Sequence, residues 1–311
     1  MIIETPSRLH MGIIDLSRKF ERQYGALGVM IKGGFKIEIE QIEKGLEVDG
    51  TEREKQEVSE VYERMKEHYG IQTGFRVNVE RRVPRHVGLG STTQLYLGSA
   101  KGMAELSGIN ADSVELASVV GRSRFSAIGT YGFDKGGFIL EGGKKVDEEV
   151  PPLLSRMEIP SHWRFLIVNP KEEEGYDETE EKPIMKKIKV DEEYPPKISH
   201  HIVMGVLPSL KDGDIEEFAE HISAIQRLVG KSFSEYQGGV FHPAVSDVIE
   251  FLEEITLGAG QSSWGPTAYG IVHEDDVEET KEKVELWLQE RDEEAFVWSA
   301  EPDNSGADII D

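Results

Sequence analysis

One segment constrains the fold of this chain more than any other. An alternating stretch, Phe75-Arg76-Val77-Asn78-Val79, runs through Val83-Pro84 into Val87-Gly88-Leu89-Gly90-Ser91-Thr92-Thr93-Gln94. Helical periodicity and small residues then continue from Thr92 to Leu106. A strand passing through a glycine turn into a helix leaves the first helical N–H groups free, with the positive end of the helix dipole behind them. Gly88 and Gly90 permit positive φ and close backbone approach, and the Ser-Thr-Thr run adds hydroxyls. The expectation is a cradle for a polyanionic phosphate. The turn is not a Walker loop, because no Gly-Lys-Ser/Thr follows. It lacks the third glycine of a dinucleotide fingerprint. Taken by itself, it serves equally as an ordinary strand-to-helix turn.

Alternation and helical spacing place further elements. Strands are predicted at Ile2–Glu4, Ala26–Ile31, Phe35–Glu40, Gly136–Leu140 and Arg164–Val168. Helices are predicted over Glu52–Tyr69, with Val58, Val61, Tyr62 and Met65 inward, and over Ala111–Gly121, opened by Asp112 or Ser113. From Asn169 to Lys197 acidic residues dominate and apolar ones are scarce, which reads as a long mobile connection with room for one short helix. The second half is richer in helix, at Ile198–Leu207, Ile215–Val229, Ala244–Ile255 and Val277–Gln289. Strands at Ala268–His273 and Ala295–Ser299 flank the last of these, a pattern that suggests a ferredoxin-like α+β unit. With 311 residues the chain exceeds one typical core. We therefore expect an N-terminal phosphate-binding domain over 1–160 and a C-terminal domain over 161–311.

Composition excludes several functions. Cysteine is absent, so disulfides, thiolate metal sites and a cysteine nucleophile are impossible. The net charge of −24 argues against nucleic acid and anionic membranes as partners. A small anionic substrate remains compatible, because a local pocket of N–H groups and arginines overrides the global field. The acidic surplus otherwise reads as a solvated surface suited to salt or heat. No apolar run reaches bilayer length, and Met1 to Pro6 has neither a basic region nor a cleavage site, so a cytoplasmic location is expected.

Two further motifs accompany the glycine loop, Ser7-Arg8-Leu9-His10 near the start and Gly260-Gln261-Ser262-Ser263-Trp264-Gly265-Pro266-Thr267 near the end. In this order the three resemble the galactokinase, homoserine kinase, mevalonate kinase and phosphomevalonate kinase superfamily, over almost the whole chain. That resemblance implies a two-domain α+β fold. Its N-terminal domain has a left-handed βαβ unit, its C-terminal domain is ferredoxin-like, and the site lies between them. With Gly136-Gly137-Phe138-Ile139, Ile225-Gln226-Arg227-Leu228-Val229-Gly230 and Phe241-His242-Pro243 added, the match is similar to one branch, the β-ribofuranosylaminobenzene 5'-phosphate synthases. The Ser-Ser-Trp-Gly-Pro-Thr string is its most specific part. The branch works in methanopterin biosynthesis, chiefly in archaea. It couples phosphoribosyl pyrophosphate to 4-hydroxybenzoate or 4-aminobenzoate and releases carbon dioxide and pyrophosphate. Magnesium as cofactor and a homodimer are what the resemblance implies.

Superfamily kinases carry a magnesium-binding Glu after the helix that follows the loop, where Arg122 stands here. A guanidinium cannot bind magnesium but can hold phosphate or carboxylate in a bidentate way. Asp134 occupies the position of the kinase aspartate and could stabilise an oxocarbenium-like centre, or could equally be a turn residue. The expected catalytic residues are Asp134, Arg122 and His10. Arg8, Arg122, Arg124 and His10 are the anion-binding candidates. The expected substrate-binding set is Ser7, Arg8, Gly88, Gly90, Ser91, Thr92, Thr93, Gln94 and Arg124, with Gly260, Gln261, Ser262, Ser263, Trp264, Gly265 and Thr267 from the last motif. Thr92 is the metal-ligand candidate. Trp264, Tyr131 and Phe133 are candidates to stack on a ring, and Asp15 is a further site candidate. His200, His201 and His242 lack the paired helical spacing of metal ligands, and His68, His162 and His221 read as surface residues. Two other readings compete: an ATP-dependent small-molecule kinase on the same fold, and a ligand-binding protein without turnover.

Overall fold

In the computed structural model, residues 1–123, 125–171, 183–185 and 187–310 are described. The N-terminal half is organised by a βαβ unit. Strand β5 (Leu46–Asp49) leads into α1 (Glu52–Tyr69), which returns to β6 (Gly74–Arg81), and β5 and β6 pair in parallel. The mostly polar α1 has good ends. Thr51 and Glu54 form a reciprocal capping box, and Gly70 closes the helix in the left-handed region. Its buried side is the expected one, Val58, Val61, Tyr62 and Met65. With β1 (Ile2–Glu4), β4 (Lys36–Ile42) and, from the end of the chain, β13 (Asp308–Ile310), these strands form a sheet in the order β13-β1-β4-β6-β5. A second sheet, β2-β3-β7-β8, is antiparallel, with β2 at Ser7–Asp15, β3 at Tyr24–Ile31, β7 at Phe138–Glu141 and β8 at Leu153–Met157. Three helices follow: α2 (Ser91–Leu106) packs on β1 and β4 of the first sheet, α4 (Ile128–Lys135) packs on β2, β3 and β7 of the second, and α3 (Ser113–Val119) packs against α2 and α4. Asp112 caps α3 by accepting from the Glu115 N–H at 2.9 Å.

The third sheet has the order β10-β11-β9-β12, all antiparallel. Its strands are β9 (Trp163–Pro170), β10 (Gly258–Gln261), β11 (Ala268–His273) and β12 (Ala295–Ala300). Numbered along the chain, that order is second, third, first, fourth, the ferredoxin-like arrangement expected from the helix and strand pattern. Between β9 and β10 lie α5 (Tyr194–His201), a π-helical turn Ile202–Val206, α6 (Leu207–Asp212), α7 (Ile215–Gln237) and α8 (Pro243–Ile255). Helix α9 (Val277–Glu290) joins β11 to β12. The expected two-domain α+β architecture is therefore present, with the ferredoxin-like sheet in its second half.

Two features depart from the sequence-based division. The chain does not stay in its second half: β13 (Asp308–Ile310) pairs with β1 at the edge of the first sheet. The Asp303 N–H donates to Met30 O at 2.9 Å, and the Ala307 N–H to Phe133 O at 2.6 Å, which hold the returning segment in place. The core is also shared. Phe218 of α7 lies 4.9 Å from the Trp163 ring of β9 and 6.4 Å from the Phe138 ring of β7, inside one apolar cluster. Of the stretch 169–197 read as a connection, 172–182 and Lys186 lie outside the described residues. Its flanks are built in: β9 runs to Pro170, and Met185 and Ile188 are buried beside Trp264.

Candidate active site

The three motifs meet. The Arg8 N–H of β2 donates to Leu89 O at 3.1 Å, so the first motif lies directly against the glycine loop. Ser262 ties both to the last motif. Its Oγ accepts from the His10 N–H at 3.0 Å and donates to Gly88 O at 2.7 Å. The Ser263 N–H closes the junction on His10 O at 3.3 Å. Gly88, at φ +93°, leaves no room for a Cβ, which would collide with the Ser262 carbonyl. Gly90, at φ +74°, is the residue from which α2 starts. A Cβ there would stand 2.6 Å from Arg8 Cγ, so the Arg8 stem lies across the loop toward the start of α2.

Around this junction is a cleft of about 310 Å³. Its polar end gathers Arg8, Arg53 and Arg122 with Ser91, Thr92 and Thr93 at the start of α2. Arg122 Nη2 is 3.5 Å from Thr93 Oγ1, and its guanidinium lies 5.5 Å from the Tyr96 ring centroid. Among the described lining residues Glu57 is the one carboxylate. It pairs with Arg85 and stands 3.6 Å from Arg53, which itself contacts His86. The other end is aromatic. Phe233 and Trp264 meet edge to face at 4.4 Å, and Phe125 and Phe241 also line it. Helix α7 supplies one wall through Gln226, Val229, Gly230, Phe233 and Gln237, a helical stripe of spacing three to four.

His10 lines the cleft and is almost wholly buried. Burial, then the neighbouring Arg8 charge, holds its imidazole well below the ordinary histidine range. It is neutral at pH 7 and offers hydrogen bonds rather than the positive charge expected of an anion binder.

Not every expected residue reaches the cleft. Asp134 is exposed at the far end of α4, where its carboxylate accepts from the Ser113 N–H at 2.8 Å. Gly129 of the same helix does line the cleft, and five residues of helix carry the chain about 7.5 Å on and roughly 140° around. Asp134 thus ties α4 to α3 and does not line the cleft, unlike the other expected catalytic residues, Arg122 and His10. Ser7, Gln94, Gly260, Ser262 and Thr267 are buried behind the lining. Gln94 Nε2 donates to Gly129 O at 2.9 Å, which ties α2 to α4, and Thr267 Oγ1 accepts from Asn169 Nδ2 at 2.9 Å. These residues stand behind the wall and do not line the cleft. Arg124 lies outside the described residues. Of the stacking candidates, Trp264 lines the aromatic end, Tyr131 turns away to donate to Pro151 O at 2.7 Å, and Phe133 is core. Asp15 accepts from the Ser17 N–H at 2.6 Å outside the cleft. His242 caps α8, and the Nδ1 atoms of His201 and His221 stand 2.9 Å apart. Among the described residues no group of three or more His, Asp or Glu could hold a metal ion. Sequence reading missed Arg53, Glu57 and His86, although Arg85-His86 stands just ahead of the loop, and it missed Phe233 and Gln237 on α7.

Comparison with known proteins places this arrangement. The GHMP kinases N terminal domain matches residues 56–140, and the GHMP kinases C terminal matches residues 206–288. The beta-ribofuranosylphenol 5'-phosphate synthase of Methanothermobacter thermautotrophicus is 30% identical over 302 aligned residues, 88% of this chain and 89% of that protein. The chain belongs to the β-ribofuranosylphenol 5'-phosphate synthase family. The synthase of the same name from Archaeoglobus fulgidus is also 30% identical, across 86% of this chain and 87% of that one. This synthase family is one of pentosyltransferases, built on a kinase fold. Methanococcus jannaschii mevalonate kinase superposes with a TM-score of 0.71 at 18% identity, covering 98% of each chain. Cytophaga hutchinsonii homoserine kinase gives 0.70 at 15%, covering 100% of this chain and 97% of that one. At such identities the likeness is one of fold alone. Arg122 lines the cleft, and no helix among the described residues is long and apolar enough to cross a membrane.

Proposed function

We propose that this chain transfers ribose 5-phosphate from phosphoribosyl pyrophosphate to an aromatic acid, 4-hydroxybenzoate or 4-aminobenzoate, with loss of carbon dioxide, as a step of methanopterin biosynthesis. One observation carries the reading. In a chain of net charge −24, one cleft gathers three arginines and the start of α2 at one end and four aromatic side chains at the other. A donor with two phosphate groups and an acceptor with a ring match those two ends. The phenol named in the family's curated members supports the hydroxylated acid as acceptor.

The α2 N–H groups, the hydroxyls of Ser91 to Thr93, and Arg8 and Arg122 hold the pyrophosphate and the charge that grows on it. The anomeric C–O bond breaks and its electron pair leaves with pyrophosphate. The ring carbon bearing the carboxylate attacks the anomeric carbon, driven by the para hydroxyl or amino group. The carboxylate then departs as carbon dioxide, and its bonding pair restores the aromatic ring. The phenyl ring rests against Phe233 and Trp264 in a dry end of the cleft, which keeps water from the cationic sugar carbon. The cleft does not build a carboxylate cage for magnesium, since its one described acid already pairs with Arg85. Magnesium would enter as the counter-ion of pyrophosphate, with the Thr92 hydroxyl as the ligand of suitable chemistry.

The test is one incubation with phosphoribosyl pyrophosphate, magnesium and 4-hydroxybenzoate labelled at its carboxylate. Labelled carbon dioxide that requires every component is the expected result. Absence of release, together with ADP formed from ATP and a hydroxylated acceptor, would replace the transferase reading with a kinase one.

A further inference from the structure

Three glutamines line the α7 side of the cleft, and their amides differ in what remains free. Gln226 is closely bonded at both ends of its amide: Nε2 donates to Met11 O at 2.7 Å and Oε1 accepts from the Gln261 N–H at 2.9 Å. So is Gln261, with Oε1 accepting from the His242 N–H at 2.7 Å and Nε2 donating to Ser263 O at 3.0 Å. Gln237 is different. Its Nε2 donates to Gly239 O at 3.1 Å and to Val240 O at 2.7 Å. A flipped amide would set its oxygen against those two carbonyl oxygens, so the orientation is locked by chemistry. The described partner of Gln237 Oε1 is Gln261 Nε2 at 3.4 Å, a long contact from one N–H of an amide whose other N–H donates more closely to Ser263 O. An amide oxygen carries two lone pairs, so Gln237 brings a fixed acceptor with spare capacity to the cleft wall.

Gln237 is one helical turn beyond Phe233, at the aromatic end. The reading of the reaction above, on which this inference rests, fixes how a ring must lie there. The carbon bearing the carboxylate is the one that attacks, so it faces the sugar at the polar end. The para substituent is opposite it across the ring and faces away from the arginines. We propose that Gln237 reads that para position, accepting a hydrogen bond from the O–H or N–H of the aromatic acceptor. An acceptor atom does not separate a phenol from an aniline, because both donate. It does discriminate against para groups that cannot donate, since these leave the buried oxygen facing apolar matter.

The experiment is a calorimetric series on the intact chain, with and without magnesium pyrophosphate. The ligands are 4-hydroxybenzoate, 4-aminobenzoate, 4-methoxybenzoate and 4-methylbenzoate. The two donors should bind at least about tenfold tighter than the other two. In Gln237→Met the gap should shrink to within about threefold, with affinity for ribose 5-phosphate unchanged. Equal binding of the hydroxy and methoxy acids by the wild type, or an undiminished gap in the variant, overturns the proposal. The wild-type series stands without the variant should the turn after α7 need the Gln237 amide to fold. A donor preference without release of labelled carbon dioxide sinks the transferase reading but leaves the para contact standing. Release of carbon dioxide without any donor preference does the reverse.

Discussion

At the scale of single residues, Gly90 carries the sharpest consequence. Its φ of +74° is one that side chains with a Cβ adopt at a cost of about 1–2 kcal/mol. Its missing Cβ also makes room for the Arg8 stem. Gly90→Ala should lower the melting temperature by only a few degrees. It should raise KM for phosphoribosyl pyrophosphate more than about tenfold, because the mutation displaces an arginine and the turn that aims the α2 N–H groups. Initial rates against donor concentration check this, and an unchanged KM would return the loop to the standing of a plain turn. Arg122 and Asp134 show the limit of reading residue by residue. The kinase resemblance gives both a place in the site, yet Arg122 lines the cleft and Asp134 ties α4 to α3.

Among the elements, β7 ends on a buried acid. Glu141 is fully enclosed, and its Oε2 accepts from the Gly143 N–H at 2.7 Å, pinning the start of the connection to β8. Burial pushes its carboxyl up to about 8, against the opposing pull of that hydrogen bond. The unfolded chain releases this proton near pH 4.5, whereas the folded chain holds it until about pH 8. Between those values the native state binds the extra proton, so stability falls as pH rises, by at most about 1.4 kcal/mol per unit from this group. Below the window the contribution is fully present, and above it the loss is complete. Glu141→Gln keeps the shape without the charge and should flatten the decline. Urea unfolding at pH 5.5, 7 and 8.5 (values chosen to span about 4.5 to 8) measures it, and parallel profiles for both proteins would rule the effect out.

For the whole molecule, the charge of −24 and the arginine-lined cleft oppose each other. Salt screens the mutual repulsion of the acidic surface and equally screens the attraction of the cleft for an anion. Raising potassium chloride from about 0.05 to 0.5 M should therefore raise the melting temperature and raise KM for the donor. Thermal melts and initial rates on one preparation give both. A donor KM indifferent to salt would mean that the arginines do not face the ligand's charge. The two halves share Phe218 against Phe138 and Trp163, and β13 returns to β1, so the cleft walls are held by one continuous core.

The sequence by itself determined the local elements and the chemistry of the turn. Alternation and helical spacing act over a few residues, so α1, β11 and the ferredoxin-like order were legible, as was the glycine loop. Motif order also carried the family. The tertiary structure alone decided which side chains face the cleft. Ser262 joins His10 across 252 residues, Arg53 arrives from the first turn of α1, and Gln237 comes from the last turn of α7. No local period encodes such meetings, because they depend on how helices and sheets remote in the chain pack. That packing turned Asp134 outward, held His10 neutral and left the Gln237 oxygen as a spare acceptor on the cleft wall.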